Sequence, residues 1–340
     1  MSHSWHRKKV MQLSAADISI REETLAGYRA LWRRTHDDLP WSCLCMLPPW
    51  VESWWSVFGR RADLHMCTFY CGDTPVGVAP LQVDGKNARL IGDADVCDYL
   101  DFIAPPGLYR PFFDSLFDYL RRSGITALDL RAQRPDSAFM SAWAESNHRL
   151  DCEAICDIED ETYELELPDS WDCYLASLRG KDRHEIRRKT RRLCEAGKVS
   201  TRLAAEAKEV EQVMPVFMEL FADNRSDKAA FMTDRMSGYF QRLAEAASAE
   251  GFLKLLLVEL NDHPAAAVML FDYNRTRYLY NNGYAQRYQA LSVGHLSKAY
   301  SIRDGISSGM QRYDFLKGKE PYKKRLGGKA VPIYSCRVKI

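Results

Sequence analysis

The segment FLKLLLVEL-NDHP-AAAVMLFDY-NRT-RYLYNNGY, residues 252–284, decides the fold. Its apolar runs, FLKLLLVEL (252–260) and AAAVMLFDY (265–273), have strand length, and Asn261-Asp262-His263-Pro264 between them has turn composition. Asn274-Arg275-Thr276 turns the chain again into RYLYNNGY. The reading is a three-stranded antiparallel meander. The same pattern occurs earlier: LHMCTFYC (64–71), the turn Gly72-Asp73-Thr74-Pro75, VGVAPLQV (76–83), the turn Asp84-Gly85-Lys86, then ARLIG. After each meander come a glycine, a helix, a second glycine and a strand that carries an aspartate. Pro75 and Pro264, Gly107 and Gly294, Gly124 and Gly309, and Asp129 and Asp314 are 189, 187, 185 and 185 residues apart. Independent loops seldom keep such an offset, so a tandem duplication is expected. Each half is then an α+β unit, a mostly antiparallel mixed sheet flanked by helices. The halves are expected at 1–155 and 156–340, parting near the acidic segment IEDETYELELP.

Composition agrees with two globular units. A chain of 340 residues with 46% hydrophobic and 27% charged side chains is too long for one average domain and too apolar for disorder. Its 47 basic and 46 acidic residues give a net charge of +1, which provides no chain-wide field for nucleic acid or an anionic membrane. The start MSHSWHRKKV is basic but leads into no apolar core, and no 18-residue apolar run follows. A cytoplasmic protein without a transmembrane segment is expected. The ten cysteines are scattered and read as reduced thiols, and none of their spacings, nor His184-Glu185, makes a zinc motif, so no metal is expected.

Two stretches carry chemistry. Leu291-Ser292-Val293-Gly294-His295 opens a helix after the polar aromatic strand end Tyr278, Tyr280, Asn281, Asn282. Free amides at such a start attract anions; Ser292 is expected to cap the helix and Gly294 to admit a ligand to the main chain. A plain cap reads equally from the residues. The second stretch, YDFLKGKEPYKKRLGG (313–328), is a short strand, a break at Lys317-Gly318-Lys319, and then Glu320, Tyr322, Lys323, Lys324 and Arg325. A carboxylate and a phenol at a strand end can serve as general base and acid, and an ammonium can hold phosphate or carbonyl oxygen. A solvated charged turn is the plainer alternative. Eight Lys or Arg residues between Arg179 and Arg192 read as a solvated helix, an anion-binding surface or, last, a tRNA contact. Trp50, Trp54, Trp55 and Phe58 at helical spacing after Pro48-Pro49 read as a core face. Asp98 and Asp101, in DYLDF, are placed at a cleft edge or in a turn, and Asn224 and Arg225 follow an apolar helix from which they reach toward an acceptor.

DYLDF (98–102), the Ser-Val-Gly-His-Leu helix start and above all YDFLKGKEPYKKRLGG resemble the BioF2-like or CelD-like acetyltransferase family of the GNAT superfamily. The final segment is also similar to one in the Fem aminoacyltransferases. The resemblance implies two tandem GNAT-like domains, the first degenerate and the second active. It implies acyl-CoA, such as acetyl-CoA, as co-substrate with no permanent cofactor, and an amine or hydroxyl acceptor in a polysaccharide or cell-envelope precursor. It places the donor phosphates at Ser292, Val293, Gly294 and His295, and catalysis at Asp314, Glu320, Tyr322 and Lys323. Asp98, Asp101, Asn224, Arg225, Tyr280 and Asn282 would meet the acceptor. The helix start departs from the Arg/Gln-x-x-Gly-x-Gly/Ala loop of many GNAT enzymes in having one glycine. A Fem-like aminoacyl-tRNA-dependent transferase and a non-catalytic subunit of a polysaccharide assembly are the alternatives.

Overall fold

The computed structural model describes residues 14–146, 150–224 and 230–340, with Arg60 and Asn224 by main chain alone. Arg225 and the basic amino-terminal segment lie outside the described residues. In chain order the elements are β1 (Ile18–Glu23), α1 (Leu25–Thr35), α2 (Pro48–Phe58), β2 (Asp63–Cys71), β3 (Thr74–Asp84), β4 (Asn87–Leu90), α3 (Tyr109–Arg122), β5 (Ala127–Gln133), α4 (Ala138–Glu145) and β6 (Glu153–Glu166). There follow α5 (Trp171–Ser177), α6 (Gly180–Glu195), β7 (Val199–Ala204), α7 (Ala207–Asn224), α8 (Asp234–Ala249), β8 (Leu253–Leu260), β9 (His263–Tyr273) and β10 (Thr276–Tyr284). The chain ends with α9 (Val293–Ser307), β11 (Arg312–Lys317), α10 (Pro321–Arg325) and β12 (Lys329–Lys339).

Two compact units result, one reaching Asp160 and including Pro332–Ile340, the other Glu161–Val331. This corrects the expected division at 155 and 156 in two ways. The boundary falls inside β6, and the last strand returns to the first unit, where it pairs with β5. In the first unit the strand order is β1-β2-β3-β4-β5-β12 followed by the first part of β6; in the second it is β7-β8-β9-β10-β11 beside the last part of β6. Neighbours with recorded register are antiparallel except β4 with β5 and β10 with β11, whose crossovers each contain a helix, α3 and α9 respectively.

The order β1-α1-α2-β2-β3-β4-α3-β5 recurs as β7-α7-α8-β8-β9-β10-α9-β11. The copies agree in detail. Each parallel pair is short, ending at Arg89 opposite Asp129 in one and at Tyr278 opposite Asp314 in the other. Just beyond, Ala132 and Leu316 both take left-handed backbone, φ 55° and 59°, where the neighbouring ladder shifts register. The hairpin turns are as the sequence suggested: Asn261-Asp262 and Asn274-Arg275 both have positive φ at two successive residues, which matches the twist of the strands they join.

Packing follows the apolar spacing. On α3, Phe112, Phe113, Leu116, Phe117 and Leu120 are buried, with the Phe112 ring 4.3 Å from that of Phe69. Proline in its first turn starts α2, whose Trp50 and Trp54 are buried and whose Trp55 and Phe58 are half-buried, a core face. In the second unit Leu256, Val268, Leu270 and Leu279 of the sheet pack with Ala299 and Ile302 of α9 and with Tyr313 and Phe315 of β11. Cys156 and Cys336 are joined by a disulfide, which corrects the expectation that all ten thiols are reduced; the other eight are free. Among the described residues no helix is long and apolar enough to cross a membrane, and no cluster of three or more His, Cys, Asp or Glu is placed to hold a metal.

Candidate functional site

Strands β10 and β11 form the walls of the site. They pair in parallel over Thr276–Tyr278 and Arg312–Asp314 alone, and among the described residues nothing pairs them further, although β10 runs on to Tyr284. The register of β10 on β9 also shifts between Leu279 and Asn281, leaving Tyr280 as the extra residue of a bulge. Past Tyr278 the β10–β11 ladder ends, and the parting of the strands reads as a crevice at the carboxyl ends of two parallel strands, where α/β sheets commonly bind ligands. A buried guanidinium holds the base of this crevice together. Arg277 donates to both carboxylate oxygens of Asp272 at 2.8 and 2.7 Å and to Asp304 of α9 at 2.5 Å. Burial opposes its charge, but Asp272 and Asp304 prevail and raise its pKa.

Helix α9 starts at the mouth. Ser292 does not cap it through its side chain, contrary to expectation; instead its main chain is left-handed, φ 60°, and its carbonyl accepts from the amides of His295 and Leu296 at 3.0 Å. Among the described residues the amides of Val293 and Gly294 donate to no main-chain carbonyl, as expected for the first turn of a helix. Gln289-Ala290-Leu291-Ser292-Val293-Gly294 therefore keeps the frame of the Gln-x-x-Gly-x-Gly loop, with Ser292 in the conformation that its first glycine would supply. Gly294 also serves a packing need. A Cβ there would lie 2.5 Å from the ring of Tyr284, so the glycine accommodates that ring.

His295, next in the turn, is half-buried, and its pKa is pushed down to about 4 by burial and then by Lys189 of α6 and Lys298 of α9, with Glu185 opposing and Arg325 of α10 adding to the effect. The helix start is thus rimmed by cations from three elements. On α6, Ile186 and Leu193 point inward, while Lys181, Arg187, Arg188, Arg191 and Arg192 are exposed. Glu185 pairs with Arg188 at 2.9 Å and Lys189 at 3.3 Å, and Glu195 with Arg191 at 3.6 Å; Lys181, Arg187 and Arg192 have no carboxylate partner among the described residues.

On the other wall, Asp314 is buried and accepts hydrogen bonds from Thr162 at 3.2 Å and from the Leu316 amide at 2.8 Å, which holds the bulge of β11. Lys323 departs from its expected role of holding phosphate or carbonyl oxygen. Its buried ammonium donates to the carbonyls of Leu316, Lys317 and Gly318 at 2.9, 2.7 and 3.1 Å and meets Glu320 at 3.0 Å, which saturates its three protons. It ties α10 to the bulge. Glu320 stays 55% exposed, with carboxylate capacity to spare. Tyr322 is half-buried, its ring edge-on to Phe315 and beneath the ammonium of Lys298.

The expected acceptor residues do not gather in one place. Tyr280 packs between Phe240 and Phe271, whereas Asn282, past the bulge, pairs in register with Val268, whose side chain belongs to the α9 side of the sheet. Nothing is described of the Asn224 side chain. Asp98 and Asp101 belong to the first unit, where Asp101 is half-buried and accepts from the amides of Phe102 and Ala138 at 2.8 and 2.9 Å, at the start of α4. Burial pushes its carboxyl up to about 7 in spite of these bonds. There the segment holding DYLDF fills the gap past β4: Leu100 donates to Ala132 O at 3.2 Å, Gln133 donates to Leu100 O at 2.7 Å, and Ile103 and Val78 exchange bonds of 3.0 and 2.7 Å. Lys298 and Arg277 were missed from the sequence. A lysine or arginine amid apolar helix or strand spacing is a usable signal of a buried ion, and both positions show it.

Each unit thus repeats one βααβββαβ plan with a parallel pair at its centre, and in the second the parallel strands part beside a helix start. Such a plan defines a GNAT-type fold in tandem. Residues 180–324, a stretch that lies inside the second unit, match the family model described as acetyltransferase (GNAT) domain. The chain is also similar in fold to solved structures. It resembles FemX at 12% identity and a TM-score of 0.62 over 94% of this chain and 96% of that one. It is similar to the carboxy-terminal domain of a putative lysylphosphatidylglycerol synthetase from Agrobacterium fabrum, at 10% and 0.56 over 85% and 90%. A third likeness is to L-PGS from Bacillus licheniformis, at 10% and 0.52 over 84% and 90%. No curated protein sequence matches the chain.

Proposed function

We propose that the second unit transfers an acyl group from acyl-CoA to an amine or hydroxyl acceptor, with a polysaccharide or cell-envelope precursor as the acceptor class. The observation that carries this reading is the parting of β10 and β11 beside the left-handed turn at Ser292, within the stretch that matches the GNAT domain. The donor's thioester would lie in the crevice, its carbonyl oxygen on main-chain amides of β10, and its diphosphate on the amides of Val293 and Gly294 within the rim of Lys189, Lys298 and Arg325. The acceptor nitrogen or oxygen attacks the carbonyl carbon directly, the C–S bond breaks, and no enzyme nucleophile is needed. Glu320, directly or through water, takes the acceptor's proton; Asp314 is the alternative base but has its bulge to hold. Tyr322 gives its proton to the departing thiolate. The first unit is non-catalytic in this reading.

Calorimetry and thermal shift with acetyl-CoA, longer acyl-CoAs and free CoA test it. Binding of acyl-CoA, with acyl transfer lost in Glu320→Ala and Tyr322→Phe, is expected. Absence of donor binding, together with a stable partner complex, would instead mark a non-catalytic subunit. One observation favours an aminoacyl-tRNA donor as a second reading, namely the exposed basic face of α6. Under it tRNA binds, and its affinity falls steeply with salt.

A further inference from the structure

We propose that the Cys156–Cys336 disulfide is a redox-sensitive clasp that fastens β12 into the sheet of the first unit. The two cysteines stand 180 residues apart in sequence, and Glu161–Val331, the whole second unit, lies between them. β12 therefore reaches its place between β5 and β6 only after a long excursion of the chain, and such non-local pairing carries the entropy of closing the intervening loop. A bond from β6 to β12 keeps that loop closed when the strand detaches, so the strand stays near and its return is favoured. Non-covalent contacts hold the same strand. Arg337 and Val338 stand opposite Asp129 and Leu128 of β5, and the Ile340 amide donates to Thr126 O at 3.0 Å. Ile333, Cys336 and Val338 are buried, and Lys339 meets Glu153 of β6 at 3.1 Å in solvent. Detachment would expose these side chains and leave the facing edges of β5 and β6 unpaired. The second unit has cores of its own, so the consequence of opening the clasp is confined to β12 and its neighbours.

The bond has one sheltered end and one reachable end. Cys336 is fully buried, its Sγ 3.5 Å from Met140 Sδ of α4. Cys156 is half-buried on a stretch of β6 that is open to solvent, where Ile155 and Ile158 are 71% and 63% exposed. A small-molecule thiol of the dithiothreitol or glutathione class, as its thiolate, attacks Sγ of Cys156; the S–S bond breaks, and Cys336 leaves with the electron pair and takes up a proton. A second thiolate then displaces Cys156 from the mixed disulfide. In sum the protein gains two thiols, and two small-molecule thiol groups are oxidised to one disulfide. Exchange in the reverse direction, with a small-molecule disulfide as oxidant, closes the clasp again.

Peptide mapping of the full chain after equilibration with glutathione disulfide should show Cys156 and Cys336 joined to each other, and after dithiothreitol both should be open to alkylation. Hydrogen exchange of the two forms then reads the clasp. On reduction the amides of β12 and of the facing residues of β5 should exchange roughly tenfold faster or more, with β8 and β9 of the second unit unchanged. The wild-type chain is reduced in place, so the comparison needs no variant; Cys156→Ser should give the pattern of the reduced form in both conditions. Two cysteines that remain open to alkylation under oxidising conditions overturn the proposal, as do β12 amides that exchange at one rate in both forms. Acceleration of both units alike also overturns it, since the bond would then support the whole chain and not one strand.

Discussion

His295 illustrates what one side chain in this site does to the whole molecule. Its imidazole, shielded by packing and flanked by Lys189 and Lys298, stays neutral in the folded chain down to about pH 4, whereas unfolded it takes a proton near 6.5. Between those values the unfolded state binds more protons, so His295 contributes stability that is complete above 6.5 and is lost as the pH falls toward 4. Asp101 acts in the opposite sense. Its folded carboxyl keeps a proton up to about 7 against 3.8 unfolded, so its burial becomes less costly as the pH falls through that interval. Urea unfolding at pH 7, 6 and 5 separates the two. His295→Gln should lose less stability than wild type on acidification and Asp101→Asn should lose more; parallel curves for all three would refute the assignment. Neither behaviour was legible beforehand. His295 looked like a ligand to the donor and Asp101 like a cleft residue, because sequence shows residue type and spacing but not the depth at which a side chain comes to rest. Ser292 was half legible: its place at a helix start is in the pattern, while its left-handed backbone depends on the turn of Gln289–Leu291 before it.

At the scale of elements, close approach of main chains governs the wall of the crevice. Gly283 in β10 lies directly under α7, where a Cβ would stand 2.3 Å from Phe221 N and 2.5 Å from Leu220 O. Backbone cannot yield as a side-chain tip does, so Gly283→Ala must push α7 off the sheet, and a loss of about 2–3 kcal/mol is expected in chemical unfolding. Gly238, inside α8, has nothing within 4 Å of its Cβ position, so Gly238→Ala should gain about 0.5–1 kcal/mol from helix propensity and unfolded-state entropy. Equal effects of the two substitutions would contradict the packing described for α7. In the sequence both glycines sit in regular elements and look alike. The strands, the helices and their order were readable because period and turn composition are local; the glycine contacts were not, because they depend on elements some sixty residues apart. The same limit explains Lys323, which read as a holder of phosphate or carbonyl oxygen at the site and is the internal cation that fastens α10 to the β11 bulge.

On the scale of the molecule, duplication predicts two donor crevices, and the chain's own filling of one reduces that number. The parallel pair in the first unit ends after Asp129 as its counterpart does after Asp314, and the left-handed bulge follows at Ala132 as at Leu316. The difference lies in the connection to the central helix. In the second unit residues 285–292 suffice; in the first, residues 91–108 intervene, and Leu100 and Ile103 of that loop take up the main-chain groups of Ala132 and Val78. Val96, Cys97, Tyr99, Leu100, Phe102 and Ile103 are all buried there, so opening the gap would expose a large apolar surface and orphan several hydrogen bonds. Strands and offset were visible in the repeated sequence; the plug was not, since DYLDF carries two aspartates and reads as a cleft edge or a turn. Titration of the full chain with acyl-CoA should therefore give one donor per chain, and substituting Ser292 and Gly294 together with bulky residues should abolish it. A stoichiometry of two, or one that survives that substitution, would place the donor in the first unit and reverse the roles proposed for the two copies.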